Sequence, residues 1–174
     1  DSLDALASKD GDLARKVIDG DEEVNQLYLD LERECVNLIA LQQPVAGDLR
    51  FIAASFKIIT DLERVADLAV NLGEYAIEAE QDIYPDVDVQ EIGDVVIEMN
   101  EQAMMAYAEE DSDLCYAIGE RDDEVDMMCQ NASNEVMRTL IEREIDKETT
   151  ESDIQSLMQD VSRVLLTVRD LERV

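Results

Sequence analysis

The residues of this chain with the clearest chemical potential are acids that stand where a helical pattern calls for apolar side chains. Glu63 lies in an apolar row between Ile59 and Ala66, four residues after the first and three before the second. Asp21 interrupts another row in the same way, and that row is predicted to pack: Leu13, Val17, Val24, Tyr28, Leu31, Cys35 and Leu38. A carboxylate on a packing surface is costly unless hydrogen bonds, a cation or protonation compensate its charge. These positions therefore call for a chemical explanation.

Further acids stand one helical turn from these positions. Asp67 follows Glu63, and Asp126 follows Asp122, at a spacing of four residues. Side chains with this spacing share a helix face about 6 Å apart, so two carboxylates can bind one cation. Oxygen ligands suit Mg²⁺, Mn²⁺ or Ca²⁺, and carboxylate clusters also hold iron. The absence of histidine disfavours zinc.

The alternative interpretation is that these acids are solvated or paired with basic side chains. A long acidic helix produces acid pairs four residues apart by chance. Asn25 also stands where the second acid pair has Asp126, and an amide there removes one anionic ligand. The basic residues available for pairing are Arg15, Lys16, Arg50, Lys57 and Arg64.

The sequence repeats itself, and the acids recur in the second copy. Residues 10–25 resemble residues 111–126, which lie 101 positions later, and residues 61–65 resemble residues 170–174, which lie 109 positions later. The paired acids are Asp21 with Asp122 and Glu63 with Glu172. Two copies of one helical unit explain both shifts, with a longer polar connection in the second copy. We expect unit one at residues 1–86, with most of its first helix missing, and unit two at 87–174, with its last helix cut short.

Composition and turn signals predict an all-α fold. The chain is 46% hydrophobic but only 4% aromatic, which favours long helices over sheet. Asp10 and Asp111 are predicted N-caps, and Pro44 ends the first long helix. The predicted helices span residues 1–7, 12–41, 48–79, 89–108, 112–143 and 152–174.

The charge of the chain limits its partners. Fourteen basic and forty-four acidic residues give a net charge of −30, which repels nucleic-acid phosphates and anionic lipid headgroups. We therefore expect neither direct nucleic-acid binding nor membrane insertion, and a cationic partner is favoured. Such an acid excess is typical of a halophile, because concentrated salt screens the repulsion between carboxylates. No signal peptide or membrane-length apolar run is present, so the expected location is cytoplasmic.

The cysteines suggest packing rather than chemistry. Cys35, Cys115 and Cys129 form no CxxC pair, and no histidine accompanies them. Cys35 and Cys129 fall on apolar stripes, which predicts small buried side chains in a reducing compartment.

The segment LQQPVAGDLRFIAASFKI, followed by DLERVADLAVNLGE, resembles the PhoU family of phosphate-uptake regulators. The segments DEEVN and DDEVD resemble the earlier signature of each repeat, and the likeness extends from residue 10 to residue 174. The resemblance implies two tandem antiparallel three-helix bundles, here truncated at both ends, each with an E(D)-x-x-x-D metal motif for Mg, Mn or Fe. The implied metal ligands are Asp21, Glu63, Asp67, Asp122, Asp126 and Glu172.

The resemblance also implies a non-catalytic adaptor. Such a protein down-regulates phosphate transport and phosphate-responsive signalling through contacts with the phosphate ABC transporter and, where present, a sensor kinase or transcription regulator. The sequence leaves open whether the chain forms a homodimer and whether a DNA-binding domain lies outside it. It also shows no cationic pocket for phosphate, so regulation is not expected to depend on free phosphate binding to this chain.

Two alternatives of other classes remain open. A ferritin-like storage protein or oxidase also places carboxylates inside helices, but such bundles use Glu-x-x-His pairs and this chain has no histidine. An inert acidic scaffold would keep its acids merely solvated. Metal binding that depends on Glu63 separates the regulator from the scaffold, and oxidase turnover would identify the enzyme.

Overall fold

The computed structural model describes residues 1–78, 87–143 and 151–174, without the side chains of 142, 143 and 151–153. All regular structure in these ranges is helical, which confirms the predicted fold class. The helices are α1 (Ser2–Ser8), α2 (Gly11–Gln42), α3 (Ala46–Glu78), α4 (Val89–Glu109), α5 (Ser112–Arg143) and α6 (Glu151–Glu172). Their ends lie within two residues of the predicted ones. The predicted end of α3 at residue 79 and most of the predicted polar connection near 142–151 lie outside the described residues.

Aspartate caps begin the long helices. The Oδ1 atom of Asp10 accepts hydrogen bonds from the backbone N–H groups two and three residues later, each at 3.0 Å. Asp111 makes the same two bonds, also at 3.0 Å, at the start of α5. Asp88 caps α4 by accepting from the N–H of Glu91 at 3.0 Å. The caps predicted at Asp10 and Asp111 are therefore confirmed, and they satisfy N–H groups that have no partner inside the helix.

Helices α2 and α3 form a long antiparallel hairpin. The chain reverses at Pro44 between Gln43 and Ala46, which have positive φ angles of 50° and 51°. Further along the hairpin the two backbones come close together at Gly73. A Cβ atom there would lie 3.3 Å from the carbonyl oxygen of Ala14 and 3.3 Å from a side-chain carbon of Ile18. Glycine therefore permits the close approach of α2 and α3.

The main hydrophobic core lies where the two predicted units meet. One cluster of buried residues draws members from both units, α1 and α3 on one side and α4, α5 and α6 on the other. The members are Leu3, Leu72, Ile92, Val96, Val125, Cys129, Val168 and Leu171. Leu3 packs directly on Gly93 of α4, where any Cβ atom would collide with it. The two predicted units therefore share most of their buried surface, and a second, smaller cluster of Ala5, Ala14 and Ala76 lies within the first unit.

The apolar row predicted for α2 is only partly buried. Val24, Leu31 and Leu38 are exposed, whereas Asp21 and Asn25 are half-buried. Helix α2 packs against α3 along its length and against the short helix α1 at one end. The predicted burial of Val24, Leu31 and Leu38 is wrong because, among the described residues, no third helix covers this face.

Removing either cap should weaken the fold by a similar amount. We expect Asp10→Ala and Asp111→Ala each to lower the free energy of unfolding by about 1 kcal/mol, because two backbone N–H groups lose their acceptor. Urea unfolding followed by circular dichroism measures this loss. Asp123→Ala, an exposed mid-helix change, controls for the repulsion relieved by removing one negative charge. Equal stability of the cap variants and this control would contradict the prediction.

Candidate functional site

The candidate metal ligands of unit one lie at matching levels of the α2–α3 hairpin. Ala14 of α2 lies opposite Gly73 of α3. Asp21 lies seven residues after Ala14, and Ala66, next to Asp67, lies seven residues before Gly73. Because the helices are antiparallel, Asp21 and Ala66 are at the same level. The same antiparallel register brings Asn25 to the level of Glu63. The fold therefore places the predicted acids of α2 and α3 within about one helical turn of each other along the hairpin.

Asp21 has an unusual environment for a carboxylate. Its Oδ2 atom accepts a hydrogen bond from the Asn25 side-chain amide at 2.7 Å. Its Oδ1 atom is buried and, within the described part of the chain, has no hydrogen-bond partner. A buried oxygen without a donor is energetically unfavourable, and a cation bound there would compensate it. Asn25, which the sequence suggested as a weakened ligand position, instead orients the Asp21 carboxylate.

The candidate ligands of unit two follow the corresponding geometry. The Cys129 thiol donates to the carbonyl oxygen of Val168 at 3.7 Å, which sets the antiparallel register of α5 and α6. Asp126 lies three residues before Cys129, and Glu172 lies four residues after Val168, so these two acids are at about the same level. Burial first, and then the charges of Glu172 and Asp126, raise the pKa of the Cys129 thiol, as expected for acids on neighbouring turns. Asp122 and Glu172 also line one cleft.

Burial separates the six predicted ligands into two groups. Asp21 and Glu63 are half-buried, whereas Asp67, Asp122, Asp126 and Glu172 are exposed. The prediction that Asp122 and Glu172 lie inside a packing surface is therefore wrong. Their exposure follows from their position, because Glu172 lies in the last turn of α6 and Asp122 lies beyond the level that α6 covers. Their role as metal ligands stays a prediction.

No preformed metal cluster is seen among the residues that the structure describes. Within those residues, no group of three or more acidic, cysteine or histidine side chains is positioned to hold an ion. Two of the basic residues available for pairing are engaged elsewhere. Arg15 bonds Asp12 at 2.9 Å and Arg64 approaches Asp61 at 3.6 Å, so neither ion pair involves a predicted ligand.

A cleft of about 280 Å³ lies between the units, bordered by α3 on one side and by α4, α5 and α6 on the other. Most of its lining is apolar or thioether, and its acids are Asp61, Asp122 and Glu172. The other lining residues are Ile58, Leu62, Val65, Val96, Met99, Asn100, Ala103, Met104, Ile118, Val125 and Val174. The cleft thus combines an apolar wall with carboxylates from both units.

The most completely buried carboxylate among the described side chains was not predicted to be special. Asp170 has a relative exposure of 0%. Its Oδ2 atom accepts from the Asn71 amide at 3.2 Å and the Tyr75 hydroxyl at 3.1 Å, while Oδ1 accepts from Arg169 Nε at 3.1 Å. A second Arg169 nitrogen bonds Oδ1 at 2.8 Å. The sequence contained one signal of this burial, because Asp170 stands between Val168 and Leu171, which both face the core.

The three cysteines differ in environment. Cys129 is buried, as predicted, while Cys35 is half-buried and Cys115 is exposed. Burial is the main cause that raises the pKa of the Cys129 thiol to about 11, followed by the negative charges of Glu172 and Asp126. Burial and the neighbouring Glu34 also raise the pKa of Cys35. Neither thiol is therefore activated as a nucleophile.

The PhoU domain family matches this chain over residues 1–76 and 89–174, the segments that contain nearly all of the six helices. The chain belongs to the PhoU domain family. Among its PhoU relatives is the phosphate-specific transport system accessory protein PhoU homolog of Aquifex aeolicus, with 37% identity over 143 residues. That alignment covers 81% of this chain and 65% of the relative.

Other relatives carry similar names. The Pseudomonas putida PhoU homolog is 33% identical over 100% of this chain and 65% of its own length. The Escherichia coli K12 accessory protein PhoU is 32% identical over 82% of this chain and 60% of its own length. The chain thus spans less than two thirds of these PhoU relatives.

Solved PhoU structures share the fold. The crystal structure of PhoU from Pseudomonas aeruginosa matches 99% of this chain and 78% of that chain, with a TM-score of 0.85 and 31% identity. The phosphate transport system regulatory protein PhoU of Streptococcus pneumoniae has a TM-score of 0.77 at 20% identity, over 98% of this chain and 79% of that chain. At that identity the second likeness concerns the fold alone.

Burial of Cys129 should make the stability of this PhoU-domain chain fall at high pH. The unfolded thiol ionises near its usual pKa of 9, whereas the folded thiol keeps its proton until about 11. Unfolding is therefore increasingly favoured as the pH rises between these values, by at most about 3 kcal/mol. Urea unfolding at a series of pH values should show a steeper loss for the parent chain than for Cys129→Ala. Parallel pH profiles would contradict the assignment, because Tyr75 and all other titrating groups remain in both proteins.

Proposed function

We propose that this chain is the helical core of a non-catalytic accessory regulator that down-regulates phosphate transport and phosphate-responsive signalling. The match of the PhoU domain family to both halves of the chain carries the proposal. It is supported by relatives named phosphate-specific transport system accessory proteins in three bacterial species. Under this proposal the protein acts in the cytoplasm by changing the state of its partners.

The side chains fit an adaptor better than an enzyme. The sequence has no histidine to serve as a general base, and burial raises the pKa of the Cys129 thiol above its usual value. The surface instead offers two means of protein contact. One is the net charge of −30, and the other is a set of large apolar side chains exposed on α2. Leu27, Val36 and Leu41 are members of this set.

The partners we propose are components of the phosphate ABC transporter, together with a sensor kinase or transcription regulator where the cell has one. Charge complementarity favours basic surfaces on those partners, since like charges across an interface are strongly disfavoured. Among the described residues, no helix has the length and apolar content needed to cross a membrane. We further propose that the acid excess reflects a salt-rich cytoplasm and that the chain can form a homodimer.

We also propose that unit one binds a divalent or transition metal ion such as Mg²⁺, Mn²⁺ or iron through Asp21, Glu63 and Asp67. The buried Asp21 Oδ1 atom without a partner among the described residues fits such an ion. A bound cation would neutralise acids on both helices and so tie α2 to α3. The corresponding acids of unit two, Asp122, Asp126 and Glu172, are exposed, so we expect them to bind ions more weakly.

Metal binding should depend on the acids of the hairpin. We expect Asp21→Asn and Glu63→Gln each to weaken Mn²⁺ or Fe²⁺ binding roughly tenfold or more, because each removes an anionic oxygen ligand. Isothermal titration in high salt measures this and suppresses general attraction of cations to the acidic surface. Asp19→Asn, an exposed change on the same helix, should leave the affinity unchanged. Equal affinities of all three variants and the parent would contradict the site.

The exposed apolar face of α2 should matter for regulation in cells. In cells lacking their own copy, the full-length protein that contains this chain should repress a phosphate-responsive reporter and phosphate uptake under phosphate-replete conditions. Leu27→Asp should relieve repression because it places a charge on an apolar contact surface. The matched control is Gln26→Asp on the neighbouring exposed position. Full repression by Leu27→Asp would exclude this face, and no repression by the parent would overturn the proposed function.

A further inference from the structure

Asp170 joins the two units through a buried polar cluster. Its carboxylate lies on α6 of unit two, and two of its hydrogen-bond donors, Asn71 and Tyr75, lie on α3 of unit one. The donors are one helical turn apart on α3, so both reach the same Oδ2 atom. Arg169, whose side chain is 52% exposed, covers the other oxygen from the solvent side. We name Asp170, Asn71, Tyr75 and Arg169 the Asp170 cluster.

Burial makes the geometry of this cluster stringent. A carboxylate with no contact with water depends on its protein donors for stabilisation, and hydrogen bonds are stronger in a low-dielectric interior. If α3 moves relative to α6, the Asn71 and Tyr75 bonds break while the charge stays buried. The raised pKa of Tyr75, caused first by burial and then by the charge of Asp170, is consistent with a tight pair. Apolar contacts tolerate small shifts better, because they are not directional.

The cluster lies beyond one end of the cleft between the units. Along α3, the Phe51 ring stacks on Tyr107 of α4 at a centroid distance of 4.9 Å, and the Ser55 hydroxyl lies 2.6 Å from the Tyr107 hydroxyl. Further along α3, Ile58, Leu62 and Val65 form part of the wall of the cleft. Beyond them on the same helix lie Asn71 and Tyr75 of the Asp170 cluster. The angle between the units therefore determines the width of the cleft.

We propose that the Asp170 cluster is a conformational lock that fixes the orientation of unit one relative to unit two and so sets the width of the cleft. Its role is directional rather than merely stabilising. Buried polar groups replaced by apolar side chains of similar size can leave stability unchanged or higher, so orientation and stability are separable. The proposal goes beyond the proposed function and does not depend on it.

The test measures the distance between the units in the whole chain. Spin labels are attached to Gln26→Cys on α2 and to the exposed Cys115 on α5, in a Cys35→Ser background. The buried Cys129 is protected from labelling by its packing. The key variant replaces the cluster by apolar side chains, Asn71→Leu/Tyr75→Phe/Asp170→Leu. The milder variant is Tyr75→Phe, and its matched control is Tyr107→Phe, which also removes one hydroxyl between the units.

We expect the key variant to unfold at a urea concentration close to that of the parent but to lose the single narrow distance peak. Tyr75→Phe should shift or broaden the distribution, and Tyr107→Phe should retain the parent distribution. A folded key variant with the narrow parent peak would overturn the lock. If the key variant does not fold, the Tyr75→Phe result decides, and a distribution equal to that of the parent or of Tyr107→Phe would overturn the proposal.

Discussion

The arrangement of the helices depends on one buried carboxylate, which one half of the chain supplies and the other half stabilises. Asp170 is flanked by Val168 and Leu171, two residues of the core that the units share. Its negative charge can stay in that apolar setting because α3 presents an amide and a phenol to it, and Arg169 neutralises it from outside. The packing of the core and the satisfaction of this charge therefore require the same placement of α3 against α6.

Most ion pairs of the described residues lie within a single helix. Most of the described ion pairs join residues three apart on one helix, such as Arg33 with Asp30 at 3.0 Å and Arg138 with Glu135 at 2.6 Å. Exposed pairs of this kind contribute a few tenths of a kcal/mol and weaken further in salt. Pairs between helices also occur, such as Arg121 with Glu98 at 3.1 Å and Arg163 with Glu78 at 3.5 Å. At Asp170 the charge is balanced by Asn71, Tyr75 and Arg169 together.

The sequence predicted the helices well because their ends are local features. The carboxylate of Asp10 and the ring of Pro44 affect only residues within one helical turn, so these helix ends can be predicted without knowing any distant contact. Burial was predicted less well. The exposure of Leu31 and Asp122 depends on which neighbouring helix reaches that level of the bundle, and periodicity cannot show this. Asp170 was missed for a related reason, since its partners are about a hundred residues away on a helix of the other unit.

The length of α3 has a mechanical consequence. The helix has 33 residues, and about 40 Å separate the level of Gly73 from the turn at Ala46 at 1.5 Å per residue. Treated as a rigid rod, it would act as a lever, and a tilt of about 5° at its carboxyl end would move the far tip by roughly 3.5 Å over that length. The stacked rings of Phe51 and Tyr107 lie near that tip. A small rotation at the carboxyl end of α3 would therefore move the helix near Phe51 by about the thickness of an aromatic ring.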